Sequence, residues 1–177
     1  TRGNPLILGL HSLKMPIVVA VNGVAAGAGV GLALCGDIVL VANSASFTIP
    51  FMPKIGLIPD LGISWRLPRL VGPARATAMA LLGERVSARQ AVEWGMAWAC
   101  VDDADLMPTA YALAQRLVKL PRFAITEIRA AFEASQSNSL AQQLEYEVGR
   151  QMSLGETPEF REGVNAFLEK RAPQFRQ

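Results

Sequence analysis

The stretch Pro16-Ile17-Val18-Val19-Ala20-Val21-Asn22-Gly23-Val24-Ala25-Ala26-Gly27-Ala28-Gly29 decides the fold. Ile17 to Val21 is an unbroken apolar run rich in β-branched residues, the pattern of a fully buried strand. Asn22-Gly23 marks a turn, since both residues tolerate the dihedrals a turn demands. The glycine-rich Ala26 to Gly31 follows, and Leu32 to Cys35 continues as a short buried helix. Asp37-Ile38-Val39-Leu40-Val41 reads as a second buried strand. Strand, glycine turn, helix and strand in succession predict a layered α/β fold.

Upstream, Leu6, Leu10 and Leu13 fall at helical spacing, which predicts a helix over residues 1–13 halted by Pro16. Downstream, Asn43 to Ser46 marks a turn, and Phe47 to Gly72 is too dense in Pro and Gly for a regular assignment. Ser87 and Gln90 have the spacing of a capping box for a helix ending near Gly95. One apolar stripe joins Leu106, Ala110, Leu113, Ala114 and Leu117, ended by Pro121; another joins Ile125, Ile128, Ala131 and Phe132. Phe160, Val164, Phe167 and Leu168 line a last amphipathic helix opened after Pro158. The division expected is a mixed αβ part over residues 1–104 and a helical part over 105–177.

Composition narrows the chemistry. The 177 residues carry 17 Lys+Arg against 15 Asp+Glu, a net charge of +2 spread singly along the chain. Nucleic-acid binding needs clustered cations, so none is expected. A single His, His11, excludes a multi-His metal site and is read as structural. Cys35 and Cys100 lie far apart in apolar stretches, which fits core packing in a reducing compartment, and the cytoplasm is expected. Trp65, Trp94 and Trp98 are expected in the core or at an interface. The apolar run from Ile17 to Leu34 has the length of a membrane span, but Asn22 and four glycines interrupt it, so a membrane role is not expected. The chain begins at Thr1 without an initiator Met, which leads us to expect a processed or truncated start.

The turn Gly27-Ala28-Gly29-Val30-Gly31 invites a dinucleotide-binding reading. The spacing fails, because the third glycine of G-x-G-x-x-G would fall at Leu32, and no acidic residue ends the next strand. Close packing of helix on strand is one alternative; backbone N–H groups at the helix start holding a developing oxyanion are another. Asp60 in Ile55-Gly56-Leu57-Ile58-Pro59-Asp60-Leu61-Gly62 stands alone among aliphatics. Burial there would raise its pKa and suit it to proton transfer. The competing reading is an ordinary Pro-Asp-x-Gly turn in which Asp bonds its own backbone. Lys170-Arg171 suits a helix C-terminus and equally a phosphate-bearing ligand.

Taken together these segments resemble the crotonase (enoyl-CoA hydratase/isomerase) superfamily. The resemblance rests on residues 16–29, Asp37, Gly56 to Asp60, Leu67 to Gly72, Leu82-Gly83 through Ala88, Ala91 and Gly95, and Phe167 to Arg171. It implies repeated ββα units in a spiral core, followed by a C-terminal helical region that builds homotrimers, often paired into hexamers. It also implies acyl-CoA thioester substrates without a metal or redox cofactor, coenzyme A being part of the substrate. In that family a thioester enolate is held by two backbone N–H groups. The second matches Ala28, and members supply the first from a segment upstream of the Asn-Gly turn that has no match in this sequence.

Members that hydrate enoyl-CoA use two glutamates, at positions matching Gly31 and a site near Phe51, and neither is acidic here. Asp60 instead matches the single acid of the isomerases. The resemblance thus assigns Asp60 and Ala28 to catalysis and Ala26, Gly27, Gly31, Phe51, Pro59 and Lys170 to substrate binding. The nearest subgroup opens ring epoxides of CoA thioesters in phenylacetate breakdown and shifts enoyl double bonds, as also occurs in fatty-acid breakdown. Ile63 departs from that subgroup, which carries a second glycine after Asp60. An acyl-CoA isomerase is the expected function. The alternatives are an enoyl-CoA hydratase and a non-catalytic acyl-CoA-binding or structural family member.

Overall fold

The structure is a computed structural model that describes residues 3–175; the first two positions of the helix expected over 1–13 lie outside them. Helix α1 (Gly3–His11) precedes β1 (Val18–Val21), and the chain then turns at Asn22-Gly23 into β2 (Val24–Ala26). This turn is a corner between sheets rather than the end of strand structure. Parallel β1, β3 (Ile38–Ala42) and β6 (Ala99–Val101) form one sheet in the order β1-β3-β6. The second sheet is β2-β4-β5, with β4 (Ser46–Thr48) parallel to β2 and antiparallel to β5 (Val86–Ser87). Each pass of the chain therefore lays a strand in each sheet before a helix, α2 (Ala28–Ala33) after the first and α3 (Phe51–Ile55) after the second. This is the ββα spiral expected from the resemblance.

Register is fixed where β1 begins. The Asp37 carboxylate accepts the Ile17 N–H at 2.7 Å, and the Asp37 N–H donates to Ile17 C=O at 2.9 Å. Val18 to Val21 then pair with Ile38 to Val41. The core runs between the sheets and the helices on them: Val30, Val41, Phe47, Ile49 and Ile63 are wholly buried. The strand expected to be fully buried is half-buried through Ala20 and buried only at Val21, because β1 is the outer strand of its sheet.

The Pro- and Gly-dense segment contains a helix that its composition hides. Helix α4 (Ile63–Leu82) carries Pro68 and Pro73, and is kinked at Gly72 (φ 79°, ψ 160°), where the residue before Pro73 is driven out of helical conformation. Ser87 caps α5 (Ala88–Glu93) with both bonds of the predicted box. A 3₁₀ turn over Asp103–Asp105 leads into α6 (Leu106–Val118). Asp102 accepts from Asn43 Nδ2 at 2.6 Å and Asp103 from the Ser44 N–H at 3.1 Å, so these acids tie the β3–β4 turn. The chain divides into two compact units between Ala114 and Gln115, within α6.

The second unit holds α7 (Arg122–Ala134), α8 (Leu140–Gly155) and α9 (Pro158–Leu168). Helix α8 was not expected; its capping box, Ser139 with Gln142, is the signal that could have revealed it. These helices line an apolar cavity of about 960 Å³ among Ile128, Leu144, Val148, Phe160, Val164 and Phe167. Among the described residues no helix is long and apolar enough to cross a membrane.

Candidate active site

The glycine turn at the start of α2 is shaped by one residue. Gly27 has φ 51° and ψ −117°, a conformation essentially confined to glycine. Its N–H donates to Thr48 C=O at 3.0 Å, joining the ends of β2 and β4, and the Val30 N–H returns to Gly27 C=O at 2.9 Å. Ala28 is the first helical residue and is exposed. At that position an N–H has no acceptor within its own helix. Phe51, the first residue of α3, lays its ring on Gly27: a Cβ there would lie 2.8 Å from Phe51 Cζ.

Asp60 is carried by a second unusual turn. Leu61 (φ 48°) and Gly62 (φ 79°) both have positive φ, and the Ile63 N–H closes the turn onto Asp60 C=O at 2.9 Å. The turn is seated on α2. A Cβ at Gly31 would come within 2.8 Å of Leu61 O and 3.0 Å of Leu61 Cβ. The glycine helix and the acid's turn are thus in backbone contact, a juxtaposition the sequence, 29 positions apart, does not announce.

Asp60 does not meet the condition of burial on which the proton-transfer reading of its aliphatic surroundings rests. Asp60 is exposed, because Ile55 to Ile58 and the turn itself run along the surface. Nor does it form the self-bonded turn considered as the alternative, since among the described residues its carboxylate makes no hydrogen bond or ion pair. It follows directly on an apolar loop in which Ile55, Leu57 and Ile58 are 62%, 58% and 79% exposed. The Leu57 N–H folds that loop back to Phe51 C=O at 3.4 Å.

Of the other expected residues, Ala26 is exposed at the end of β2 and Pro59 is half-buried. Gly31 is buried under Leu61. Ile63 is wholly buried with Cγ1 toward Gly31, so its branched side chain fills the core beneath the turn. Lys170 belongs to the second unit. It adopts a left-handed φ of 56° just past α9, its N–H reaching Phe167 C=O at 3.2 Å and that of Arg171 reaching Ala166 C=O at 3.0 Å. This is a Schellman cap, in which glycine is the usual residue.

His11 has a structural place, with Nδ1 3.2 Å from Arg66 Nη2 and its ring edge-on to Trp65. Cys35 is buried, which pushes its thiol pKa up; Cys100 is half-buried. Trp94 packs against the core, whereas Trp65 is partly exposed and Trp98 is 74% exposed.

Residues 2–177 match the family model described as enoyl-CoA hydratase/isomerase. The chain belongs to that family. Two curated relatives of this enoyl-CoA hydratase/isomerase chain are the 1,2-epoxyphenylacetyl-CoA isomerase of Escherichia coli (strain K12), 51% identical over 97% of this chain, and the "Probable enoyl-CoA hydratase" of Rhodobacter capsulatus, 46% identical over 97%. The chain spans 65% and 66% of their respective lengths. The solved structure of an enoyl-CoA hydratase from Polaromonas sp. JS666 superposes with a TM-score of 0.93 at 33% identity, covering 98% of this chain and 67% of that one. The crotonase-like fold, a spiral αβ core followed by C-terminal helices, is shared with such structures.

Proposed function

We propose that the protein is an acyl-CoA isomerase in which Asp60 shuttles a proton and the Ala28 N–H is one donor to a thioester enolate. Asp60 removes a proton from the acyl chain, electrons move onto the thioester oxygen, and the same carboxyl returns the proton at another carbon. One acid is sufficient, and because the reaction is redox-neutral no redox cofactor is needed. A preorganised backbone donor lowers such a barrier by a few kcal/mol, roughly 3 kcal/mol for a single oxyanion contact. Coenzyme A enters as part of the substrate.

The observation that carries this reading is the seating on α2 of the turn that bears Asp60, where Leu61 meets Gly31, which has no side chain, while the Asp60 carboxylate has no partner among the described residues. An aromatic ring on Gly27 supplies an apolar wall where a hydratase would want a water-activating acid. The exposed Ile55, Leu57 and Ile58 support an apolar acyl group laid over the loop, which would take Asp60 out of water. Similarity to an enzyme named for 1,2-epoxyphenylacetyl-CoA favours a ring epoxide or a β,γ-double bond as the reacting group, in phenylacetate or fatty-acid breakdown. We place this chemistry in the cytoplasm, and the apolar faces of α7 to α9 support a homotrimer or hexamer.

Similarity to a hydratase favours water addition as the second reading. Both readings are tested with Asp60→Asn in the full protein. Isomerisation of a 3-enoyl-CoA should fall at least about a hundredfold, the scale of a general acid–base contribution, with thioester binding retained. Unchanged isomerisation would sink the assignment. Hydration of crotonyl-CoA at a rate matching isomerisation would favour the second reading.

A further inference from the structure

We propose that Leu61 is the positioning residue of the site: wedged between Gly3 of α1 and Gly31 of α2, it holds the positive-φ turn that aims Asp60. The inference rests on the reading of Asp60 as proton shuttle.

A leucine at φ 48° is unfavourable, since its Cβ crowds the following carbonyl, and such a conformation persists only where its surroundings enforce it. Here the enforcement is visible on both sides. A Cβ at Gly3 would collide with Leu61 Cδ2, so the side chain lies directly on the α1 backbone. A Cβ at Gly31 would come within 2.8 Å of Leu61 O and 3.0 Å of Leu61 Cβ, so the leucine's backbone lies on α2. Neither neighbour has a side chain that could yield.

Helix α1 continues the grip along the turn. A Cβ at Gly62 would lie 3.6 Å from Ile7 Cγ2, and His11 meets Arg66 at the first turn of α4. Ile7 is the residue of α1 that is buried, whereas Leu6 and Leu13 of the expected stripe are exposed. The face α1 uses is therefore the one that meets this turn. Asp60 itself has no side-chain partner among the described residues to orient it, so its placement falls to the backbone next to it.

The test uses the full protein with Leu61→Gly, Leu61→Met and Gly31→Ala, and reads kcat and KM for a 3-enoyl-CoA together with hydrogen exchange at the Ile63 amide. Glycine accepts the positive φ but removes the wedge; methionine keeps an apolar side chain of similar volume in it. Leu61→Gly should lower kcat about tenfold or more with KM within about threefold, the scale expected when a reacting group drifts by a fraction of an ångström. The Ile63 amide should exchange faster. Leu61→Met should stay within about threefold of the parent in kcat, and Gly31→Ala should repeat the kcat loss by pushing the turn from the α2 side.

Unchanged kcat and Ile63 protection in Leu61→Gly would overturn the proposal, as would an equal loss in Leu61→Met. Should Leu61→Gly not fold, Gly31→Ala decides by the same two readouts. If Asp60→Asn retains activity, the Asp60 reading has failed, and the wedge is then judged by Ile63 exchange alone.

Discussion

Gly27 shows how much of this site is a matter of single residues. Its φ of 51° with ψ −117° lies where a side chain is strained, and the Phe51 ring occupies the place a Cβ would take. Gly27→Ala should therefore cost about 1–3 kcal/mol from the backbone conformation alone, with the ring contact adding to it, and equilibrium denaturation would measure the loss. A cost within experimental error would mean that the turn adopts a different conformation. The same residue illustrates a limit of reading a chain by type. Glycines 27, 29 and 31 look alike as a motif, yet Gly27 is needed for its dihedrals and Gly31 for the backbone laid on it, whereas a Cβ at Gly29 would only touch Ala25 at 4.0 Å. Asp60 was legible as a solitary acid among aliphatics. Its exposure was not, because burial depends on what crosses the loop in space.

At the scale of elements, local signals were reliable where the chemistry is local. The capping box at Ser87 and the proline that opens α9 are both found where expected, since each involves residues within one helical turn. Helix α4 was not legible, because its two prolines and kink at Gly72 break the pattern, and packing of Ile63, Leu67 and Val71 overrides the local preference.

At the end of α9 a closure that depends on pH is expected. Glu162 accepts a forked pair from Arg171 at 2.6 and 3.0 Å and the Gln174 N–H at 2.7 Å, which holds its carboxyl at about 2 against an ordinary 4.5. A depressed carboxylate stabilises the folded tail fully above its ordinary value and loses that contribution as pH falls through the folded one. The tail from Arg171 to Gln174 should accordingly stay closed on α9 at neutral pH and open between about pH 4.5 and pH 2. Carbon-13 titration of the Glu162 carboxyl would show this, and Arg171→Gln should return its midpoint toward the ordinary range.

At the scale of the whole molecule, the apolar faces of the second unit are the main unspent resource. Ile128, Phe132, Leu144, Val148 and Phe160 are each more than half exposed, and Phe167 is 82% exposed. Exposed apolar surface on this scale marks an interaction site, and it underlies the proposed self-association. Sedimentation of the full protein should report a trimer or hexamer. Val148→Asp should shift it toward monomer, since burying an unpaired carboxylate costs several kcal/mol, about 3 kcal/mol or more. A parent protein that sediments as a monomer would remove the oligomer from the functional reading.

The sequence alone determined which segments are strands and helices wherever period, cap or β-branching acts over a few residues. It also carried the resemblance that assigns the chemistry to Asp60 and the Ala28 amide, the positions matching the hydratase glutamates, Gly31 and a site near Phe51, not being acidic. Tertiary structure decided the rest. The Asn22-Gly23 turn became a corner between two sheets because β3 and β4 follow the same course beside β1 and β2. The turn that bears the acid rests on α2 because Gly31 has no side chain to keep Leu61 away. Contacts between distant residues depend on the path of the whole chain, which no local pattern encodes.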